Sequence, residues 1–143
     1  MTTVNVFAPA KINLTLHVTG RRADGYHLLD SLVVFADTGD LLQLDPGPEL
    51  ALDVSGLFAG GVPADERNLV WKAAEGAGWT GHISLDKQLP HGAGIGGGSS
   101  DAAAVLRALA GQGTGIPEDL SLSLGADVPV CMAARPGVQL GWA

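Results

Sequence analysis

A chain of 143 residues with 46% hydrophobic content carries enough apolar side chain for one ordinary core, and its single cysteine, Cys131, excludes an internal disulfide framework and a cysteine-rich zinc site. A net charge of −7 at neutral pH removes the basic surface that non-specific binding to nucleic acid or anionic lipid needs, so a polyanionic ligand has to be held locally. The first residues lack the basic and continuous apolar regions of a signal peptide, and no stretch approaches the roughly 18 apolar residues of a membrane span; a soluble, cytoplasmic protein with no nucleic-acid or membrane partner is expected.

Residues 4–7 and 12–18 read as strands, the second alternating Ile12, Leu14, Leu16 and Val18 with Asn13, Thr15 and His17. Asp24-Gly25 signals a turn within residues 21–26, and residues 28–34 resume an apolar run that suits a strand or a short helix. Residues 41–44 and 50–54 are two more strands, joined by the turn Asp45-Pro46-Gly47-Pro48. A short helix is expected over 65–76, stopped by Gly76 and Gly78, and the alternation of Ile83 and Leu85 marks a strand over 82–87. The plainest helix is 101–112, rich in alanine and introduced by Ser99 and Ser100 as N-capping candidates. Pro117 suits the first turn of a last helix over 118–124, with Gly125 at its end. Trp71, Trp79 and Trp142 are expected as isolated large fillers of a core otherwise built from small aliphatic residues.

The 21 glycines, roughly twice the usual share, concentrate where backbone chemistry can use them. Five fall within residues 92–98, in the run Leu89-Pro90-His91-Gly92-Ala93-Gly94-Ile95-Gly96-Gly97-Gly98-Ser99-Ser100 between a strand and a helix. Glycine lets backbone N–H groups close on an anion with no Cβ in the way. A helix N-terminus adds unsatisfied donors and a positive dipole end, and the two serines add hydroxyls, so the run reads as a phosphate site. It is not a Walker A loop, because no lysine follows the glycines. Gly92-x-Gly94-x-x-Gly97 satisfies the dinucleotide pattern, but Gln88-Leu89-Pro90-His91 separates it from its strand after a β-rich start, which suits that fold poorly.

The pattern Pro-x-Gly-x-Gly-x-Gly-Gly-Gly-Ser-Ser from Pro90 to Ser100 resembles the central ATP-binding motif of the GHMP kinases, the superfamily of galactokinase, homoserine kinase, mevalonate kinase and phosphomevalonate kinase. Ala8-Pro9-Ala10-Lys11-Ile12-Asn13-Leu14, Gly20-Arg21-Arg22-Ala23-Asp24-Gly25-Tyr26-His27 and Gly125-Ala126-Asp127-Val128-Pro129 resemble one branch of it. That branch phosphorylates the 2-hydroxyl of a cytidine-diphosphate-linked methylerythritol in non-mevalonate isoprenoid synthesis. The resemblance implies an α+β fold, a mixed β-sheet backed by helices with a left-handed βαβ crossover, and the use of ATP and Mg2+.

It also implies roles residue by residue. Asp127 matches the aspartate that accepts the proton of the substrate hydroxyl as it attacks the γ-phosphorus, and Lys11 matches the lysine paired with it. The pairing is physically sound, since a nearby cation keeps a carboxylate ionised and stabilises charge in phosphoryl transfer. Pro90, His91, Gly92, Ala93, Gly94, Ile95, Gly96, Gly97, Gly98, Ser99 and Ser100 match the ATP phosphate loop, and Asn68 and Lys87 match positions lining the adenine pocket. Asn13 matches a residue near the substrate hydroxyl and phosphates, and Tyr26 and His27 match positions that recognise the cytidine end. Without the resemblance, Tyr26 reads as a core residue and His27 as an exposed turn residue. His17, His82 and His91 share no metal-ligand spacing and are expected at the surface. Members of the superfamily have two domains, the second contributing part of the substrate cleft. Residues 1–143 are therefore expected to be the N-terminal, nucleotide-binding domain alone, lacking the C-terminal one and leaving an edge through which a homodimer can form. Two other readings stay open at this point: a nucleotide-binding domain without turnover, and a kinase of the same superfamily for another small alcohol.

Overall fold

The computed structural model describes residues 3–21, 27–90, 97–132 and 137–141. Its elements are β1 (Val4–Arg21), β2 (His27–Pro46), β3 (Ala51–Ser55), α1 (Leu69–Gly76), β4 (Gly81–Asp86), α2 (Gly97–Gly111), α3 (Leu120–Leu124), α4 (Val128–Cys131) and β5 (Gly137–Gly141). β1 and β2 form a long antiparallel ribbon, from Val4 opposite Leu44 to Arg21 opposite His27. β1 occupies one edge of β2, so the other edge is shared: β5 pairs with it at Ser31 to Phe35, and β4 at Leu41 to Pro46, both antiparallel. β3 lies parallel to β4 and completes the order β1-β2-β4-β3. The sheet is therefore mixed and the class is α+β, as expected, with α1 connecting the parallel pair.

Period-two alternation places the core. On β4, buried Gly81, Ile83 and Leu85 alternate with the less buried His82, Ser84 and Asp86. With Leu42, Leu44 and Leu52 they face Val70, Ala73 and Ala74 of α1 and residues 102–106 and Leu109 of α2. Each fully buried leucine, isoleucine or valine contributes about 1.5–3 kcal/mol. Helix α2 is buried at every position from Ala102 to Leu106, because the sheet, α1, α3 and α4 all contact it. Its alanines let these neighbours approach closely.

Several expected boundaries move. β1 runs through Pro9 without a break; Pro9 sits at a register irregularity on the outer strand, where a missing N–H costs the ladder nothing. β2 likewise continues through residues 35–40, so the run over 28–34 is strand and not helix. β3 does not pair with β2, because β4 lies between them. α1 starts at Leu69 and not at 65, since Asn68 caps it, accepting the Val70 N–H at 2.9 Å. It ends at Gly76, with Gly78 in the left-handed region at φ +73°, a conformation that favours glycine. α2 starts at Gly97, so Ser99 and Ser100 lie within its first turn and do not precede it. α3 starts only at Leu120, after the Leu120 N–H closes a turn onto the Pro117 carbonyl. Trp79 is buried and Trp71 half-buried against the core, as fillers; Trp142 lies outside the described residues.

Candidate active site

The β1–β2 ribbon is irregular where it matters. Pro9 pairs with Gly39 and Lys11 with Phe35, so residues 36–38 of β2 stand against Ala10 alone. Lys11 follows this bulge and is buried, with its Nζ 2.9 Å from Oδ1 of Asp127, whose side chain is 51% exposed. Asp127 stands immediately before α4, and its backbone carbonyl accepts the Cys131 N–H at 3.1 Å. The result is a carboxylate presented outward with a buried cation behind it, an arrangement suited to taking a proton from a hydroxyl and steadying the charge that develops.

Helix α2 holds the two halves of this pair in place. Carbonyls alternate sides along a strand, so those of Phe7 and Pro9 point to the same outer edge of β1. The Ser100 hydroxyl donates to Pro9 O at 2.6 Å, and Arg107 donates to Phe7 O at 3.0 Å and to Cys131 O at 2.6 Å. Arg107 thereby ties the strand that carries Lys11 to the helix that follows Asp127. Arg107→Met keeps length but removes both bonds, and we expect a loss of about 2 kcal/mol in unfolding free energy, read by urea denaturation. An unchanged midpoint would show that the guanidinium only fills space. Burial pushes the Cys131 thiol up to about 11, which makes this cysteine a neutral filler and not a nucleophile.

On its other side the first turn of α2 borders a cleft of about 200 Å³, lined in part by Val62, Pro63, Asn68, Lys87, Gly98 and Asp101. Gly98 is exposed, and a Cβ placed there would meet nothing nearer than Leu69 Cδ1 at 4.0 Å, so the space beside it is open to a ligand. Asn68 and Lys87 do meet in this cleft, but their polar atoms are already engaged. Asn68 Nδ2 donates to Pro63 O at 2.9 Å, and its oxygen caps α1. The Lys87 ammonium lies 2.7 Å from Asp40 Oδ2 and 2.8 Å from Asp101 Oδ2. Burial works against the Lys87 charge, yet Asp101 and Asp40 outweigh it and raise its pKa. Burial, then a hydrogen bond with Asp40, holds the Asp101 carboxyl well above the usual carboxylate range.

Sequence reading did not single out Asp40, Asp101 or Arg107. The available signal was slight: Asp40 stands directly before the apolar pair Leu41-Leu42, and Asp101 directly before the alanine-rich run. Pro90 is half-buried at the end of the segment after β4, and Ser99 half-buried within α2. His91, Gly92, Ala93, Gly94, Ile95, Gly96 and Tyr26 lie outside the described residues. Asn13 pairs with Val33 and His27 with Arg21 in the ribbon, their side chains lying outside the described part. His82 is partly exposed against Asp53 at 2.5 Å, away from the site. Among the described residues no group of three or more His, Cys, Asp or Glu could hold a metal ion, and no helix is long and apolar enough to cross a membrane.

A profile of the GHMP kinases N terminal domain matches residues 68–137. The chain is 62% identical over 131 residues to 4-diphosphocytidyl-2-C-methyl-D-erythritol kinase of Dinoroseobacter shibae, covering 90% of this chain and 45% of that one. It is 58% identical over 132 residues to the protein of the same name from Jannaschia sp., covering 91% and 48%. A crystal structure of 4-(cytidine 5'-diphospho)-2C-methyl-D-erythritol kinase superposes with a TM-score of 0.71 at 38% identity, over 96% of this chain and 52% of that one. The chain spans about half the length of the curated relatives it matches.

Proposed function

We propose that this chain, which belongs to the GHMP kinases, is the nucleotide-binding half of a cytoplasmic kinase that transfers the γ-phosphoryl group of ATP to the 2-hydroxyl of 4-diphosphocytidyl-2-C-methyl-D-erythritol in isoprenoid synthesis. The observation that carries this reading is the Lys11–Asp127 ion pair at 2.9 Å, a buried cation behind an exposed carboxylate. Asp127 accepts the proton of the attacking hydroxyl, and Lys11 keeps the carboxylate oriented and offsets the charge that builds up. The glycine run and the first turn of α2 hold the phosphates through backbone N–H groups. The open cleft beside Gly98 takes the nucleoside, with Asn68 and Lys87 in its wall. By the family resemblance, Asn13 serves the substrate hydroxyl, and Tyr26 and His27 serve the cytidine. A Mg2+ would be held mainly by the phosphates and its own waters, and would supply charge neutralisation of those phosphates.

The test is phosphorylation of that substrate by the 143-residue chain with MgATP, followed by mass spectrometry, alongside calorimetric binding of ATP and of a cytidine diphosphate ligand. Turnover is expected to fall by at least about a thousandfold in Asp127→Asn. ATP binding without turnover confines the chain to the nucleotide-binding role and makes a second domain or a second copy necessary for the cleft. Sedimentation of the same samples reads whether copies associate. ATP binding without any affinity for cytidine compounds would point to another alcohol, and absence of ATP binding sinks the reading.

A further inference from the structure

Asp40 is completely buried on β2, in the stretch between the residues that pair with β5 and those that pair with β4. Its Oδ1 accepts the backbone N–H groups of Gln88 at 2.7 Å and Leu89 at 2.9 Å, and its Oδ2 accepts from the Lys87 ammonium. Three consecutive residues that lead into the glycine run are thus fixed to one carboxylate. The same ammonium reaches forward to Asp101 on α2, the helix that follows the run. The segment after β4 is thereby joined to the start of α2.

We propose that Asp40, Lys87 and Asp101 are positioning residues that clamp residues 87–89 to the first turn of α2 and so preset the wall of the cleft beside Gly98 for a bound nucleotide. This rests on the nucleotide-binding role given to that cleft above. Ordering a site at the moment of binding subtracts from affinity. Fixing these residues in the free protein removes part of that cost beforehand. The residue types follow from the task. Two amide donors and an ammonium need more acceptor sites than an amide side chain has, and a carboxylate supplies about four.

Asp101 makes the device sensitive to pH. Its Oδ1 is buried with no hydrogen-bond partner, and burial holds its carboxyl well above the usual carboxylate range. Its ionisation adds a buried negative charge beside Asp40, against the single Lys87 cation. The charged groups that act on it are Lys87 after β4 and Asp40 on β2, and the Cys131 thiol on α4 in turn feels the Asp101 charge.

The test measures MgATP affinity of the 143-residue chain by calorimetry from about pH 5 to about pH 10. Wild-type affinity is expected to weaken as pH rises, Asp101→Asn to lose this pH dependence, and Lys87→Met to bind at least about tenfold more weakly throughout. A folded Lys87→Met with wild-type affinity, or the same slope in Asp101→Asn as in wild type, overturns the clamp and leaves the kinase reading intact. Should Lys87→Met not fold, Asp40→Asn carries the same arm. Amide hydrogen exchange decides the clamp without nucleotide: Asp40→Asn should speed exchange at Gln88 and Leu89 by at least about tenfold relative to Val105. Equal rates there overturn the proposal, whereas wild-type protein that binds no ATP overturns the kinase reading instead.

Discussion

Lys87→Met is expected to lower the unfolding free energy by about 3–5 kcal/mol, because it leaves two buried carboxyl groups without their cation. The side chain is similar in bulk, so the loss is not one of packing. Lys87 and both its partners are at most 2% exposed, which removes the solvent screening that makes surface ion pairs weak. The same cluster sets a pH dependence of stability. Asp101 and Lys87 both have raised pKa values in the folded chain, so each binds its proton more tightly folded than unfolded. Their contribution is complete below their ordinary values and is lost as pH rises through the raised ones, so the weakening begins above the ordinary carboxylate range for Asp101 and above the ordinary lysine range for Lys87. Urea titrations from acid to alkaline pH check both statements. An Asp101→Asn chain as sensitive to rising pH as wild type would remove Asp101 from the account.

Gly39→Ala is expected to cost about 3 kcal/mol and to disable both halves of the site at once. A Cβ at Gly39 would overlap Ala8 O and lie 2.7 Å from Pro9 Cα, and both obstacles are backbone, which cannot rotate away as a side chain can. The ribbon must open where Pro9 faces Gly39. That displaces Lys11, two residues along β1, and Asp40, the next residue on β2. Loss of stability should therefore come with loss of ATP affinity. Gly115→Ala is the control, since nothing lies within 4 Å of its Cβ, and its effect should stay within about 0.5 kcal/mol. A Gly39→Ala chain with wild-type stability would mean that the bulge has slack.

The parts of the fold that local pattern controls were legible. Alternation marked β4 and most of β1 and β3, and the glycine run placed the start of a long helix within a few residues. Lys11 and Asp127 were named as a pair, and they meet. What stayed hidden depends on distant partners. Asp40 and Lys87 are 47 residues apart, and nothing around either predicts the other. Lys87 is matched only to a position lining the adenine pocket, and Asp101 only opens a helix, so neither reading leads to the other. The bulge was invisible because Pro9 suggested a break, whereas on an outer strand a proline only leaves a donor missing where none is needed. α4 and β5, four and five residues long, are too short for a period to declare itself.

The outer edge of β1 has one more consequence. An edge strand, here 18 residues long, is a template along which the strand of another molecule can add, the first step of aggregation. Here Pro9 offers no N–H to an incoming strand, and the carbonyls of Phe7 and Pro9 are already taken by Arg107 and Ser100. The same two side chains that steady the Lys11 end of the site therefore interrupt intermolecular zippering, and a chain that loses them becomes prone to self-association while still folded.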